Sequence, residues 1–285
     1  MKRFAGNGAR PTNRIDRIFA RLRERGAKAL IPYVMAGDPD LATTEDWLLA
    51  AASAGADLLE IGIPFSDPLA DGPVLQRAAE RALAQGTTLE DSLALVRRVR
   101  AKIELPLLFM TYYNLIFQYG EDRLARDAAE AGVDGLIVPD LPPEEAESLE
   151  AASRSSGLHL IYLIAPTTPP TRIARIAARG SGFLYYVSLT GITGSKLPAL
   201  DEVARRVRAI KRVTDLPVVV GFGVSTPEEA GRLAQVADGV IVASALVKRL
   251  QALSDESRRR KGLIDYLASL KAAMGSRVSS SPSLR

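Results

Sequence analysis

The pattern that decides the fold stands in residues 29–63, ALIPYVMAGDPDLATTEDWLLAAASAGADLLEIGI. Two apolar runs, 29–35 and 57–63, flank a segment whose apolar residues follow helical spacing. Near-continuous apolar runs of this length are typical of parallel strands that are covered on both faces. Because a right-handed crossover joins such strands, the stretch predicts a strand–helix–strand unit.

Six further apolar runs repeat this unit, at 106–112, 135–140, 158–164, 182–188, 217–223 and 239–244. Eight strand–helix units suit a closed (β/α)8 TIM barrel, whose usual length is ~250 residues. A doubly wound open sheet is the alternative, but the sequence has neither of the glycine-rich phosphate motifs typical of such sheets, G-x-G-x-x-G and G-x-x-x-x-G-K-[ST]. We therefore predict an α/β protein with a single (β/α)8 TIM barrel.

The two ends of the chain differ from the repeating part in composition. The first residues are basic without the apolar segment of a secretory signal, and the last ones are rich in serine. We expect one catalytic domain over 13–274, with short flexible, disordered tails at 1–12 and 275–285. No apolar stretch approaches the ~20 residues of a membrane span, so we expect a cytoplasmic protein that does not bind membranes.

The composition excludes several kinds of site. The chain has 285 residues, no cysteine and one histidine, His159. Disulfides, thiolate metal sites, a cysteine nucleophile and a multi-histidine metal site are therefore impossible, and we expect no metal. The net charge of +4 comes from dispersed basic residues on helix-like segments, without interleaved aromatic residues. This pattern indicates solvated helix faces, so we expect no nucleic-acid partner.

One carboxylate interrupts the second apolar run. Glu60 lies among Leu59, Ile61 and their apolar neighbours, near the end of the predicted strand. Strand alternation places it on the face opposite Leu59 and Ile61. In a barrel, catalytic residues lie at the carboxyl ends of the strands. An inward Glu60 would have a raised pKa, because burial disfavours the charged form, and the sequence thus predicts a proton-transfer group. An ion pair with an inward cation is the alternative.

The loop after this strand, GIPFSDPLADGP (62–73), combines three prolines with Asp67 and Asp71. It is long for a connection between a strand and a helix. Proline fixes one backbone dihedral and stiffens the loop, so its carboxylates are expected to be positioned. Simple Asp-Pro or Asp-Gly turns would explain each acid alone, but the combination predicts a functional lid over the barrel mouth.

The loops after the last three predicted strands consist mainly of small residues. They read SLTGITGSK (188–196), GFGVST (221–226) and VASALVK (242–248). Small residues let main-chain N–H groups approach an anion, and helix N-termini favour negative charge. Barrels frequently bind phosphate with the loops after strands 7 and 8. These loops therefore predict a phosphate site.

The stretch LLEIGIPFSDPLADGPVLQ (58–76) resembles the signature of the tryptophan synthase α chain family. The resemblance covers about residues 14–274 and extends through IPYVMAGDP (31–39), TYYNLIFQYG (111–120), GVDGLIVPDLPPEE (132–145), LIAPTTP (163–169), YYVSLTGITG (185–194) and GFGVSTPE (221–228). It implies a retro-aldol cleavage of indole-3-glycerol phosphate to indole and glyceraldehyde 3-phosphate without a cofactor. Indole would pass to a β chain that carries pyridoxal phosphate, within an α2β2 heterotetramer.

The same resemblance assigns individual residues. Glu60 matches the proton-transferring glutamate of the family, and Asp71 matches its second catalytic aspartate. Phosphate contacts carry over to Gly194, Gly223, Ala243 and Ser244; the family often has glycine at position 243, so only the main-chain N–H of Ala243 would matter. The indole pocket and lid would include Tyr33, where some members have phenylalanine, together with Tyr185, Thr193 and Phe222.

Three functions remain open from the sequence. The chain could work as the α chain in a complex, as a stand-alone indole-3-glycerol-phosphate lyase that releases free indole, or as a non-catalytic scaffold or activator of a partner. The presence of both Glu60 and Asp71 disfavours the scaffold. The apolar residues of the lid, and those of 113–120, further predict a face that docks on a β chain. This apolar set comprises Pro64, Phe65, Pro68, Leu69, Leu115, Ile116 and Phe117.

Overall fold

A computed structural model describes residues 12–187, 200–221, 223–253 and 255–275. Within these residues eight parallel strands pair in sequence order and close into a barrel, which confirms the predicted fold. The strands are β1 Ala29–Met35, β2 Leu59–Gly62, β3 Leu107–Met110, β4 Gly135–Ile137, β5 His159–Ile164, β6 Leu184–Val187, β7 Val218–Gly221 and β8 Gly239–Val242.

Helices surround this barrel and connect its strands. The described residues form α1 Arg14–Glu24, α2 Leu41–Ser53, α3 Pro73–Ala84, α4 Leu89–Arg100, α5 Tyr113–Tyr119, α6 Glu121–Ala131, α7 Glu147–Ser155, α8 Pro170–Arg179, α9 Leu200–Lys211, α10 Pro227–Ala234, α11 Ser244–Gln251 and α12 Glu256–Gly275, with a 3₁₀ turn at Pro143–Glu145. None of these helices is both long and apolar enough to cross a membrane.

The strands are apolar on both faces because each face packs against a different core. One cluster fills the barrel interior and includes Ile31, Tyr33 and Leu108, together with Phe19 from α1. A second, larger cluster lies between strands and helices and includes Leu59 and Ile61. The alternation of residues between these clusters confirms that the continuous apolar runs are doubly covered parallel strands.

The observed strands are shorter than several of the predicted runs. The run 135–140 continues beyond β4, which ends at Ile137, and the run 239–244 continues beyond β8 into Ser244, the first residue of α11. Asp57, at the start of another run, precedes β2; its carboxylate accepts a hydrogen bond from the Leu30 amide at 2.7 Å. Apolar periodicity cannot separate a residue of the strand ladder from a buried residue in the adjoining loop, so the ends predicted for these runs were wrong, whereas β1 has the predicted bounds 29–35.

The predicted tails lie almost wholly outside the described residues. Of 1–12 only Thr12 is described, and of 275–285 only Gly275, the last residue of α12. The boundaries of the catalytic domain therefore stay predictions.

Candidate active site

Glu60 lies inside the barrel, as the alternation of β2 predicts. Its side chain is 0% exposed, and it stands opposite Tyr33 in the ladder between β1 and β2. Neither of its carboxylate oxygens has a hydrogen-bond partner among residues 12–187, 200–221, 223–253 and 255–275. The alternative of an inward ion pair finds no support within the described part of the chain.

The side chains of Tyr33 and Tyr185 extend into the barrel interior near Glu60. Each one occupies space that a side chain on a neighbouring glycine would otherwise fill. A Cβ atom on Gly62 would overlap the Tyr33 hydroxyl, and one on Gly221 would overlap the ring and hydroxyl of Tyr185. Tyr33 lies on β1 and Gly62 on the adjacent strand β2. In the same way Tyr185 lies on β6 and Gly221 on β7, so each phenol extends from its own strand to the next one. Both tyrosines are buried, and they face the carboxylate from β1 and β6.

These side chains line a cavity of about 290 Å³ at the carboxyl ends of the strands. One part of the lining consists of bulky or acidic residues from the barrel interior, the second loop and α3: Tyr33, Glu60, Asp71, Val74, Leu75, Met110, Tyr185 and Ile241. The other part comes from the loops after β7 and β8 and from α11: Gly223, Val224, Ser225, Ala243, Ser244, Ala245 and Lys248. The cavity thus joins an apolar, acidic region to a region of small residues and one cation.

The two carboxyl groups of the cavity have different pKa values. Burial, assisted by the nearby charge of Asp71, raises the pKa of Glu60 to about 8. Burial also raises the pKa of Asp71, to about 6, while a hydrogen bond from the Tyr112 hydroxyl opposes this rise. Near pH 7 Glu60 is therefore mainly protonated, and Asp71 is mainly ionised. One site holds both a proton donor and a carboxylate.

Tyr112, the residue before α5, holds the loop that carries Asp71 in place. Its hydroxyl hydrogen-bonds the Asp71 carboxylate and accepts the Ala70 amide at 3.1 Å. Its ring stacks on Phe65, with ring centroids 5.2 Å apart. Gln76 of α3 donates to the main-chain carbonyl of Asp71 at 2.9 Å. The loop is consequently held from strand 3 and from the helix that follows it, in addition to its prolines.

The loop pattern treated Asp67 and Asp71 alike, and only the family resemblance singled out Asp71; the structure separates the two acids in the same way. Asp71 is buried in the cavity, whereas Asp67 is exposed and accepts a hydrogen bond from the neighbouring Ser66 hydroxyl at 2.6 Å. The sequence interpretation gave no role to Tyr112. The sequence feature that could have identified Tyr112 was its place close after the third strand, inside the stretch 111–120.

The predicted phosphate residues that are described lie together. Gly223 has a φ of 81°, a conformation that a side chain would strain. Ala243 and Ser244 stand at the start of α11, where the first helical N–H groups have no partner within the helix. Such groups favour an anion. Gly194, Thr193 and Phe222 lie outside the described residues.

Lys248 also lines this part of the cavity, and the sequence interpretation did not single it out. It follows Ser244 by four residues on α11, so both side chains lie on the same helix face. Helical side chains point back toward the N-terminus, which directs Lys248 toward the same region as the Ser244 amide. The i, i+4 spacing from Ser244 was the signal that could have identified it.

Within the described ranges no group of three or more histidine, aspartate and glutamate side chains is arranged to hold a metal ion. The chemistry that the arrangement offers is proton transfer by Glu60, charge stabilisation by Asp71 and anion binding at the start of α11.

Comparisons with known proteins identify the family of the chain. The family model described as "Tryptophan synthase alpha chain" matches residues 19–274. A tryptophan synthase alpha chain from Geobacter sp. (strain M21) is 57% identical over 236 residues, covering 83% of this chain and 88% of the relative. One from Geotalea uraniireducens (strain Rf4) is 51% identical over 263 residues, covering 92% and 98%.

Solved structures show the same likeness in three dimensions. The crystal structure of tryptophan synthase subunit alpha from Legionella pneumophila str. Paris superposes with a TM-score of 0.86 at 42% identity, covering 93% of this chain and 99% of that one. A tryptophan synthase structure from Mycobacterium tuberculosis gives a TM-score of 0.85 at 38% identity, with 93% and 99% covered. The family match and these likenesses span most of the chain, which therefore belongs to the tryptophan synthase alpha chain family.

Proposed function

We propose that Glu60 and Asp71 are the two catalytic groups with which this chain cleaves indole-3-glycerol phosphate to indole and glyceraldehyde 3-phosphate. The chain is a lyase by family, in tryptophan biosynthesis. The observation that carries the residue assignment is the pair of buried carboxyl groups with separated pKa values in one cavity. The separation gives one acid and one base at neutral pH.

Glu60 moves the protons of the reaction. The protonated carboxyl group gives its proton to carbon 3 of the indole ring, which creates a cationic indolenine. The resulting carboxylate then accepts the proton of the hydroxyl group on the adjoining side-chain carbon. The carbonyl forms as the carbon–carbon bond breaks, and the bonding electrons neutralise the ring. Glu60 ends the cycle protonated, as it began.

Asp71 stabilises the cationic intermediate. Its ionised carboxylate accepts the hydrogen bond of the ring N–H, and this bond strengthens as positive charge develops on the ring. The Tyr112 hydroxyl and the bonds to Ala70 and Gln76 hold this carboxylate in place before the substrate binds. A group positioned in advance requires no reorganisation during the reaction.

The small residues at the other side of the cavity bind the substrate phosphate. Main-chain N–H groups of Gly223, Ala243 and Ser244, together with those of the predicted contact Gly194, donate to its oxygens. The Lys248 ammonium adds positive charge at the same place. Proton transfer suffices for every step above, so we propose that the chain uses no cofactor of its own.

A β chain that carries pyridoxal phosphate is the partner that this family membership supports. We propose a cytoplasmic α2β2 heterotetramer in which indole passes directly to that chain. Two large apolar side chains near the cavity mouth are exposed, Leu69 at 91% and Phe117 at 68%. Ile116, which the sequence placed on the same face, is fully buried in the core. The docking face therefore centres on Leu69 and Phe117.

The activity itself has a direct test. Purified chain is incubated with indole-3-glycerol phosphate, and the initial rate of indole release is measured alone and with a β chain. We expect slow release by the chain alone and acceleration by the β chain, because docking favours closed lids through a population shift. Full activity of the chain alone would favour the stand-alone lyase, and no release in either case would overturn the proposed function.

The pH profile of kcat/KM should be bell-shaped. Asp71 acts as a carboxylate, so activity should rise with a midpoint near pH 6, where the free enzyme loses that proton. Glu60 acts first as an acid, so activity should fall with a midpoint near pH 8. Initial rates of indole release at subsaturating substrate give this profile. An acid limb near pH 4 and no alkaline limb would contradict the assigned roles.

Phe117→Asp should weaken the complex with the β chain. The carboxylate would be desolvated at the centre of the predicted docking face, so we expect the affinity to fall by more than about tenfold, the scale of a central hot-spot residue. Titration calorimetry with purified β chain measures the loss. Leu83→Asp is the matched control, since Leu83 is an apolar side chain, 37% exposed, near the far end of α3. Equal affinity of both variants would remove Phe117 from the interface.

A further inference from the structure

Among the described residues the Tyr33 hydroxyl has almost no hydrogen-bonding partner, although it is deeply buried. Tyr33 is 1% exposed, and within this part of the chain its hydroxyl makes one long contact, 3.8 Å to the Met35 sulfur. Sulfur is a weak acceptor, and a phenol normally finds a stronger partner when it is buried. Leaving it without one is costly, so the position of this hydroxyl calls for a function beyond packing.

The strand register places this hydroxyl next to Glu60. Tyr33 of β1 pairs with Glu60 of β2, and both side chains face the barrel interior. The hydroxyl reaches the level of Gly62, which lies two residues beyond Glu60 on the same strand face, toward the cavity mouth. It therefore lies beside β2 on the mouth side of Glu60, the side from which a substrate enters.

Four titratable groups face the hydroxyl from the surrounding elements. They are Asp71 from the loop after β2, Glu60 from β2, Tyr112 from the loop after β3 and Tyr185 from β6. Among these described neighbours none is a cation. When Glu60 gives up its proton, the new negative charge needs a hydrogen-bond donor, because burial in an apolar site disfavours it. Asp71 already receives a hydrogen bond from Tyr112.

We propose that Tyr33 is a positioning residue. Its hydroxyl donates a hydrogen bond to the Glu60 carboxylate that forms when Glu60 releases its proton to the substrate. This inference rests on the proposed function of Glu60. The bond makes Glu60 a stronger acid and holds the carboxylate in place for the return proton from the side-chain hydroxyl. Tyr33 would thus contribute a polar group, in addition to the aromatic wall that the family resemblance assigns to it.

The test compares Tyr33→Phe, which removes one oxygen atom, with the wild-type chain in the presence of β chain. A hydrogen bond to a charged acceptor contributes enough that kcat should fall roughly ten- to hundredfold. KM should change by less than about twofold, since the indole wall remains. The alkaline limb of the pH profile of kcat/KM should move to higher pH by roughly one unit or more, because the Glu60 carboxylate loses its donor.

Tyr162→Phe is the matched control for the loss of a buried strand phenol. Tyr162 of β5 faces outward, where its hydroxyl donates to Glu150 at 2.5 Å. This variant should lower the melting temperature without moving kcat or the alkaline limb. If Tyr33→Phe behaves like Tyr162→Phe, the Tyr33 hydroxyl has only a structural role and the inference is wrong.

Incorporation of 3-fluorotyrosine at position 33 tests the same hydrogen bond by strengthening it instead of removing it. The fluorinated phenol is a stronger hydrogen-bond donor, so the alkaline limb should move to lower pH. An unchanged limb would contradict the inference even if the phenylalanine variant failed to fold. Glu60→Gln distinguishes a failure of this inference from a failure of the proposed function. If Glu60→Gln retains activity, the proposed catalytic role of Glu60 is wrong. If Glu60→Gln is inactive but Tyr33→Phe is fully active, only the role of Tyr33 is wrong.

Discussion

Glu60→Gln should lose cleavage of indole-3-glycerol phosphate by roughly two to four orders of magnitude, the usual contribution of a general acid–base group. The amide keeps the shape of the side chain but cannot transfer the proton. Binding should persist, because the phosphate contacts come from the loops after β7 and β8 and from α11. Steady-state indole release gives kcat, and calorimetry with glycerol phosphate reports binding. Near wild-type turnover in the folded variant would remove Glu60 from the mechanism.

The same variant should be more stable than the wild type at alkaline pH. The folded pKa of Glu60 lies near 8, above the value of 4.5 expected in an unfolded chain. Stability linked to Glu60 is thus complete below about pH 4.5 and is lost as pH rises through 8. Glutamine does not ionise, so its advantage in unfolding free energy should grow by up to ~1.4 kcal/mol for each pH unit in that window. Urea unfolding at pH 5 and pH 8 measures the difference.

Asp71→Asn should reduce kcat roughly 10²- to 10³-fold, the scale reported for loss of one preorganised group that stabilises transition-state charge. The amide still occupies the site beside Tyr112, but it brings no negative charge to the ring N–H of the cationic intermediate. KM should change less than kcat, since the ground-state indole ring is neutral. Initial rates with saturating substrate and β chain measure the loss.

Asp67→Asn is the matched control for this prediction. Asp67 lies in the same proline-rich loop, but its carboxylate is exposed and contacts Ser66. Its removal should leave kcat within about twofold of the wild type, as surface substitutions usually do. If Asp67→Asn and Asp71→Asn lost activity equally, loop stiffness would explain both effects better than charge at Asp71.

Period-2 alternation predicted that Glu60 lies on the face opposite Leu59 and Ile61. The structure confirms this: Leu59 and Ile61 pack against the helices, and Glu60 is buried in the barrel interior. The closed barrel was also predictable, since eight apolar runs alternate with helical segments and the glycine-rich motifs typical of an open doubly wound sheet do not occur. These features depend on local pattern, which the sequence displays directly.

The remaining features depend on contacts between residues far apart in the chain. The loop pattern does not distinguish Asp67 from Asp71; the family resemblance singled out Asp71, and its contact with Tyr112, two residues after β3, gives the physical reason. Ile116 and Phe117 are neighbours in an apolar run, yet helix geometry buries the first and exposes the second. No local pattern specifies such partners, so sequence reasoning identified the residues without their arrangement.

The central claim is that burial keeps Glu60 protonated at neutral pH, and its titration tests this most directly. Carbon NMR of protein labelled at the glutamate side-chain carboxyl carbons follows each group, and Glu60 is assigned by the signal that Glu60→Gln lacks. We predict a midpoint near pH 8, which should fall in Asp71→Asn because the neighbouring charge is gone. A midpoint near the ordinary glutamate value of about 4.3 would contradict the account.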